Sequence, residues 1–159
     1  MLAAEADELS VTLDELKTKD LLEELAVVYR RHEVAQGKTI MVAADSESLV
    51  FRSDYTLLLR VLGNMLKNAV ESTPAGENVS LGARRDADQV EFWVNNPTFM
   101  PRDVQLQVFQ RSFSTKGPGR GIGTYSIRLL VSRYLRGTVD FESSKKWGTT
   151  FRIHLPFEI

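Results

Sequence analysis

The chain has no cysteine among its 159 residues and only two histidines. Disulfide bonds and thiolate metal sites are therefore excluded. His32 and His154 are far apart in sequence, so a metal site built on histidines is not expected. His32 is interpreted as a surface residue of the first helix. His154 alternates with Ile153 and Leu155 along the last predicted strand and is expected to face solvent.

Long apolar runs and a strong excess of charge are also absent. No stretch approaches the roughly 20 apolar residues that span a bilayer, and the acidic first ten residues do not resemble a signal peptide. The net charge of −1 gives no reason to expect binding to nucleic acid or insertion into a membrane. We expect a cytoplasmic setting, which is compatible with a membrane-anchored parent chain. The length suits one domain.

Apolar periodicity predicts an alternating series of strands and helices. The first half reads as an edge strand around Val11 and Leu13, a helix capped by Asp20 and stopped by Gly37, and a buried strand over residues 39–45. A long helix follows, capped by Asp54 and ended near Pro74. Two hairpins, over residues 78–96 and 138–156, flank a glycine-rich loop and a helix over residues 124–137. This order predicts an α+β fold with helices on one face of a mixed sheet.

The long helix carries polar residues suited to a metal ion and to phosphate. Asn64 and Asn68 are four residues apart, as are Lys67 and Glu71, so each pair projects from one stripe of the helix. An amide oxygen can coordinate Mg²⁺, and a lysine can bind phosphate oxygens. A solvated face of an amphipathic helix would have the same pattern.

A second motif is the glycine-rich loop that precedes the last predicted helix. Gly119, Gly121 and Gly123 alternate there, with Lys116 in the same loop. Glycines let backbone N–H groups approach a phosphate, and a helix N-terminus attracts anions. A flexible loop before an ordinary helix is the alternative. The spacing does not match GxxxxGK[ST], and no buried parallel strand leads into the glycines, so neither a P-loop nor a dinucleotide fold is favoured.

The order of the motifs is more specific than any one of them. An asparagine helix, a hairpin, the segment QVFQRSFSTK, the glycine loop and a terminal GTTF strand resemble the GHKL ATPase superfamily, and within it the catalytic domain of sensor histidine kinases. The resemblance extends from about Asp20 to Pro156. It implies a Bergerat-type two-layer α/β sandwich, with a mixed, mostly antiparallel sheet packed against about three helices. Residues 20–159 would form this domain, and residues 1–19 a linker, the end of a dimerisation helix and an edge strand.

The resemblance also implies cofactors, partners and residue roles. ATP and Mg²⁺ would be bound, and the γ-phosphoryl group would pass to a histidine on a separate dimerisation domain; a response regulator would be a further partner. Asn68 would ligate Mg²⁺, and Asn64 would be the catalytic residue beside the γ-phosphate. The other nucleotide-binding residues would be Lys67, Glu71, Asn95, Thr115, Lys116, Gly119, Gly121, Gly123 and Thr149.

One motif departs from the family pattern. Where the family carries DxGxG, this chain has NNPTFMP, which places Asn95 at the adenine-reading aspartate and replaces the two glycines by Pro97 and Phe99. The phenyl ring of Phe99 would either turn outward or fill part of the adenine pocket. A degenerate pseudo-ATPase acting as a regulatory or docking module is therefore the alternative to an active kinase domain. An anti-sigma-factor serine kinase shares the fold, but the kinase-like ending GTTFRIHLP disfavours it.

Overall fold

The computed structural model describes residues 10–108 and 122–159. Its strands and helices follow one another in the order that the sequence predicts, with one additional short strand and one additional short helix. In chain order, they are β1 (Asp14–Lys17), α1 (Thr18–Arg30), a 3₁₀ turn (Glu33–Ala35), β2 (Thr39–Val42), β3 (Val50–Ser53), α2 (Tyr55–Glu71), β4 (Asn78–Asp86), β5 (Gln89–Asn96), α3 (Arg102–Gln105), α4 (Ile122–Arg133), β6 (Thr138–Ser144) and β7 (Gly148–Pro156).

The main sheet has five strands in the order β2-β4-β5-β7-β6. Only the pair β2–β4 is parallel, and the other neighbours are antiparallel. Strands β1 and β3 form a separate antiparallel pair. The predicted mixed, mostly antiparallel sheet is therefore confirmed. Within the described ranges, no helix is long and apolar enough to cross a membrane.

Alternation along β5 shows how the sheet forms two different faces. Val90, Phe92 and Val94 are buried in a core cluster that also contains residues of α1, α2 and α4. Glu91, Trp93 and Asn95 occupy the intervening positions and point to the opposite side, because successive strand residues face opposite ways. The sheet therefore has a helix-facing side and an open side, which confirms the predicted two-layer sandwich.

Helix α2 begins and ends where the sequence predicts. The Asp54 side chain accepts a hydrogen bond from the backbone N–H of Leu57 at 2.9 Å and another from Thr12 at 2.8 Å. Ser72 is the C-terminal cap, and Pro74 follows it. A Cβ on Gly63 would lie 2.8 Å from the Tyr29 hydroxyl, so a glycine there lets α1 pack closely against α2.

Four predicted boundaries in the first half are wrong. Asp20 lies inside the first turn of α1, which Lys17 precedes without a side-chain cap. The helix starts earlier because the buried hydroxyl of Thr18 donates to Glu47 O and accepts from Leu49 N. It ends at Arg30 rather than near Gly37, since the His32 ring accepts from Val34 N and starts a separate turn.

The third wrong boundary concerns the strand predicted over residues 39–45. Strand β2 ends at Val42, and only Ile40 is fully buried. Its neighbour Met41 is 44% exposed. The reason is that β2 is an edge strand with a single partner, β4. The predicted edge strand around Val11 and Leu13 lies slightly later, as β1.

Replacing Asp54 with alanine tests the capping of α2. The carboxylate accepts two backbone hydrogen bonds and is nearly buried, so Asp54→Ala should lower the free energy of unfolding by about 1–2 kcal/mol in urea denaturation. Asp45→Ala changes the net charge equally at an exposed position and should stay within about 0.5 kcal/mol of wild type. Equal stability of the two variants would contradict this role of Asp54.

Candidate nucleotide-binding site

The asparagine stripe of α2 lies at the border between core and solvent. Asn64, Asn68 and Glu71 are half-buried, and Lys67 is exposed. On the other side of the helix, Met65, Leu66 and Ala69 are buried in the core. This orientation leaves both asparagines at the edge of the buried face of α2.

Asn96 and Thr149 mark the helix-facing side of the sheet at one end. They are paired across β5 and β7 and continue the core positions Val94 and Phe151 of the same two strands. Asn96 is 5% exposed and Thr149 is 3% exposed. Two buried polar residues thus extend an otherwise apolar face towards the loop that follows β5.

A chain of hydrogen bonds connects this end of the sheet with the C-terminus of α2. Ser72, the cap of α2, donates its N–H to Asn68 O, and its own carbonyl accepts from the Thr98 hydroxyl at 2.7 Å. Thr98 N donates to Asn96 Oδ1 at 2.9 Å, and Thr98 O accepts from the Thr149 hydroxyl at 2.6 Å. The loop after β5 is therefore fixed to both the asparagine helix and β7.

Ser143 on β6 completes this polar cluster. Its hydroxyl lies 2.8 Å from the Thr149 hydroxyl, and it accepts a hydrogen bond from Met100 N at 2.7 Å. Because the one hydroxyl proton of Thr149 goes to Thr98 O, Ser143 is the donor to Thr149. We call the residues Ser72, Asn96, Thr98, Ser143 and Thr149 the polar cluster.

Strand β7 begins with Gly148 because a side chain would not fit at this position. This glycine has a φ of +75°, and a Cβ there would lie 2.0 Å from Asn96 O and 2.8 Å from the Cα of Pro97. Any side chain would push the loop after β5 away from the sheet. The first residue of GTTF is thus a point of close backbone approach that keeps the polar cluster together.

Asn95 does not belong to the polar cluster. It lies on the open side of the sheet, where it lines a groove of about 640 Å³ together with Trp93 and Thr150. Its amide nitrogen is 2.9 Å from Thr150 Oγ1, 3.1 Å from Trp147 O and 3.3 Å from Thr149 O. Asn95 thus contacts the backbone of Thr149 from the open side, and its side chain points away from the face that carries the Thr149 hydroxyl. An aspartate there would have no proton to donate to these oxygens, which gives the asparagine a structural reason.

Phe99, which replaces a glycine of the family pattern, is turned outward. The side chain is 37% exposed, and the Lys145 ammonium lies 5.8 Å from its ring centroid. Of the two orientations considered from the sequence, the structure has the outward one. The loop then continues through Pro101 into the short helix α3, where Gln105 donates to Met100 O.

The residues of the predicted lid are only partly covered by the structure. Thr115, Lys116, Gly119 and Gly121 lie outside the described residues. Gly123 lies in the first turn of α4, because that helix begins at Ile122 rather than at Thr124. The helix also ends at Arg133, four residues before the predicted stop at Gly137.

Comparison with known proteins agrees with this arrangement. A family model described as "Histidine kinase-, DNA gyrase B-, and HSP90-like ATPase" matches residues 53–159, the range that contains α2, the polar cluster and α4. The chain belongs to this ATPase family. The resemblance seen in the motifs is thereby confirmed, and the polar cluster lies within the matched domain.

The relatives and solved structures that this chain resembles include sensor proteins and a histidine kinase. The sensor protein DivL of Caulobacter vibrioides is 31% identical over 98% of this chain, which spans 20% of DivL. Full-length ShkA, solved in complex with AMPPNP, is 26% identical and has a TM-score of 0.80 over 94% of this chain and 32% of that one. ThkA, solved with the response regulator TrrA, is 21% identical with a TM-score of 0.77 over 92% of this chain and 42% of that one. The chain is therefore similar in sequence and fold to parts of these proteins, and it spans less than half the length of each.

Apart from Thr149, the residues of the polar cluster were not singled out from the sequence. Asn96, Thr98 and Ser143 lack a motif of their own, and the family spacing pointed to Asn95. The alternation of QVEFWVNN contained the missing signal, since Val90, Phe92 and Val94 predict that Asn96 shares their face. Nothing comparable in the sequence links Ser143 or Thr98 to Thr149, because those contacts depend on the pairing of β7 with β6 and with β5, respectively.

Replacing Thr149 with valine tests the polar cluster in this ATPase domain. The change keeps the shape but removes the donor to Thr98 O and the acceptor for the Ser143 hydroxyl proton, so the free energy of unfolding should fall by about 1–3 kcal/mol in urea. Thr150→Val, one residue along on the open side, removes only a partly exposed acceptor and should cost less. A larger loss from Thr150→Val would contradict the assigned role of Thr149.

Proposed function

We propose that this domain binds Mg-ATP on the helix-facing side of the sheet and donates the γ-phosphoryl group to a histidine on a separate dimerisation domain. The observation that supports this proposal best is the hydrogen-bond chain from Asn68 through Ser72 and Thr98 to Thr149. These hydrogen bonds fix the position of α2 relative to the loop after β5 in the absence of a ligand. The shared ATPase family and the AMPPNP named for ShkA support the nucleotide.

The residues of α2 fit the phosphate end of this ligand. Asn68 supplies an amide oxygen, a hard ligand of the kind Mg²⁺ accepts, and the ion would neutralise charge on the phosphates when bound. Asn64, one turn earlier, is assigned to the γ-phosphate, and the exposed ammonium of Lys67 to the phosphate chain. Glu71, three residues after Asn68 on α2, is assigned to the same nucleotide-binding motif. Thr115, Lys116, Gly119, Gly121 and Gly123 are assigned to the lid over the phosphates.

At the base end, we assign Asn96 rather than Asn95 to the adenine-reading position. Asn96 is buried on the helix-facing side beside Thr149, whereas the Asn95 amide is engaged by the β6–β7 turn. Counting back from Pro101 places Asn95 at the aspartate of the DxGxG motif. If Asn96 takes that place instead, the loop after β5 is one residue shorter than in the family pattern. Thr149 supports the base pocket by holding Thr98 O.

Catalysis in such a site consists mainly of positioning and of stabilising charge. The residues of α2 hold the phosphates in place, and the transferred group leaves for an acceptor outside this chain. His32 and His154 are not suited as acceptors. His154 faces the open side of the sheet, and His32 caps the 3₁₀ turn after α1. The dimerisation domain of the parent kinase is therefore the proposed acceptor, and a response regulator, as named for ThkA, is the proposed next partner.

Calorimetric titration with Mg-ATP separates this proposal from a degenerate pseudo-ATPase. The wild-type chain should bind one equivalent. Asn68→Ala should weaken binding by about tenfold or more, a loss of about 1.4 kcal/mol, since it removes the metal ligand. Asn78→Ala, a matched change at an exposed asparagine, should leave the affinity within about twofold. No heat and no thermal shift at millimolar nucleotide would favour the pseudo-ATPase instead.

The direction of phosphoryl transfer can be tested with labelled ATP. The chain alone should incorporate no label, because its two histidines are unsuited as acceptors, whereas label should appear on the dimerisation domain of the full-length parent when the two are mixed. Autoradiography with acid and base treatment would distinguish phosphohistidine from phosphoester. Rapid labelling of the isolated chain would contradict the assigned acceptor.

A further inference from the structure

The open side of the sheet carries a group of charged residues that nucleotide binding does not use. Glu91 on β5 is paired with Arg84 on β4 and with His154 on β7. The side chains of Glu91 and His154 are only 3% and 12% exposed. The expectation that His154 faces solvent is therefore wrong, because neighbouring long side chains cover the imidazole.

Two carboxylates converge on one nitrogen of this imidazole. His154 Nε2 lies 3.0 Å from Glu91 Oε1 and 3.3 Å from Asp86 Oδ2, and all three atoms lie within 4.8 Å of one another. Two ligand atoms that are both about 2.0–2.1 Å from a tetrahedral metal ion are about 3.3 Å apart. The present separations are therefore close to the edges of a tetrahedral coordination sphere.

The other nitrogen of the ring also faces a carboxylate. His154 Nδ1 lies 3.7 Å from Asp140 Oδ2 on β6. Metal-binding histidines generally donate their second N–H to a carboxylate or carbonyl, which fixes the tautomer and the ring orientation. Asp140 is itself held by Arg152 Nε at 2.7 Å. The ring thus has a supporting group on the side opposite to Asp86 and Glu91.

The local charge also favours a cation. Four carboxylates, those of Asp86, Glu91, Asp140 and Glu142, are accompanied by the guanidinium groups of Arg84 and Arg152. Burial alone would raise the pKa of Glu91, but the hydrogen bonds and charges of Arg84 and His154 hold that pKa below its ordinary value.

Arg84 leaves Glu91 Oε1 able to act as a ligand. Its Nε donates to Oε2 at 2.8 Å and its Nη2 donates to Oε1 at 3.1 Å. A carboxylate oxygen has two lone pairs, so Oε1 can accept from Arg84 and still face the position between His154 and Asp86. The guanidinium also fixes the carboxylate plane.

We propose that Asp86, Glu91 and His154 bind a divalent transition-metal ion, with zinc(II) as the ion whose ligand and geometry preferences fit best. One imidazole and two carboxylates suit zinc, whereas Mg²⁺ and Ca²⁺ prefer oxygen ligands alone. A solvent molecule would complete four ligands on the half-exposed Asp86 side. The ion would link β4, β5 and β7 on the face opposite to Asn96, so the site is independent of the proposed nucleotide site.

The test is calorimetric titration of the full chain with zinc chloride alone, without nucleotide and in a non-chelating buffer. The wild-type chain should bind one equivalent, and its melting temperature should rise with zinc concentration. His154→Gln should weaken binding by at least about tenfold, while His32→Gln, at the other histidine, should not. Long-range ¹H–¹⁵N spectra should show a shift of His154 Nε2 rather than Nδ1.

Asp86→Asn covers the case in which His154→Gln does not fold. Asp86 lies at the end of β4 with 48% of its side chain exposed, so this variant should fold and should also bind zinc more weakly. Two results would overturn the proposal. One is no binding by the wild-type chain at millimolar zinc, which would leave a hydrogen-bonded histidine only. The other is unchanged binding in His154→Gln and Asp86→Asn.

Discussion

The hydroxyl group of Thr149 is the interaction on which the candidate site depends. It donates to Thr98 O and accepts from Ser143, so one buried group joins the loop after β5 to the last two strands. Thr98 in turn binds the carbonyl of Ser72, the cap of α2. Because Gly148 admits the Asn96 carbonyl so closely, these segments cannot separate without breaking several buried contacts. The asparagine helix is thereby held against a rigid edge of the sheet.

The two faces of the sheet carry different sets of polar and charged residues. The helix-facing side carries the apolar core and, at one end, Asn96 and Thr149. The open side carries Asn95, the groove beside Trp93, and the charged residues around His154. Motif spacing alone does not separate neighbouring residues such as Asn95 and Asn96, although a one-residue difference moves a side chain to the other face. Under the proposed assignment of Asn96, the departure from DxGxG is a change of loop length as well as of residue type.

Much of the fold could be predicted because its signals are local. The cap at Asp54, the period of α2, and the turn at Ala87, where φ is +54°, are encoded within a few residues. The start of α1 was missed because it depends on Thr18 meeting Glu47 and Leu49, about 30 residues away. The polar cluster and the carboxylates around His154 were missed for the same reason. They form only when β7 pairs with both β5 and β6, and no periodicity within one strand reveals which side chains meet across the sheet.

The central claim is that the nucleotide binds on the helix-facing side, beside Asn96. The most direct measurement follows the side-chain amide resonances of a ¹⁵N-labelled chain during titration with Mg-ATP. The account predicts that the Asn96 and Asn68 side-chain signals and the backbone amide of Thr98 shift with one common binding curve, while the Asn95 side chain stays in place. A shift of the Asn95 side-chain signal, with no shift of the Asn96 side-chain signal, would contradict this account.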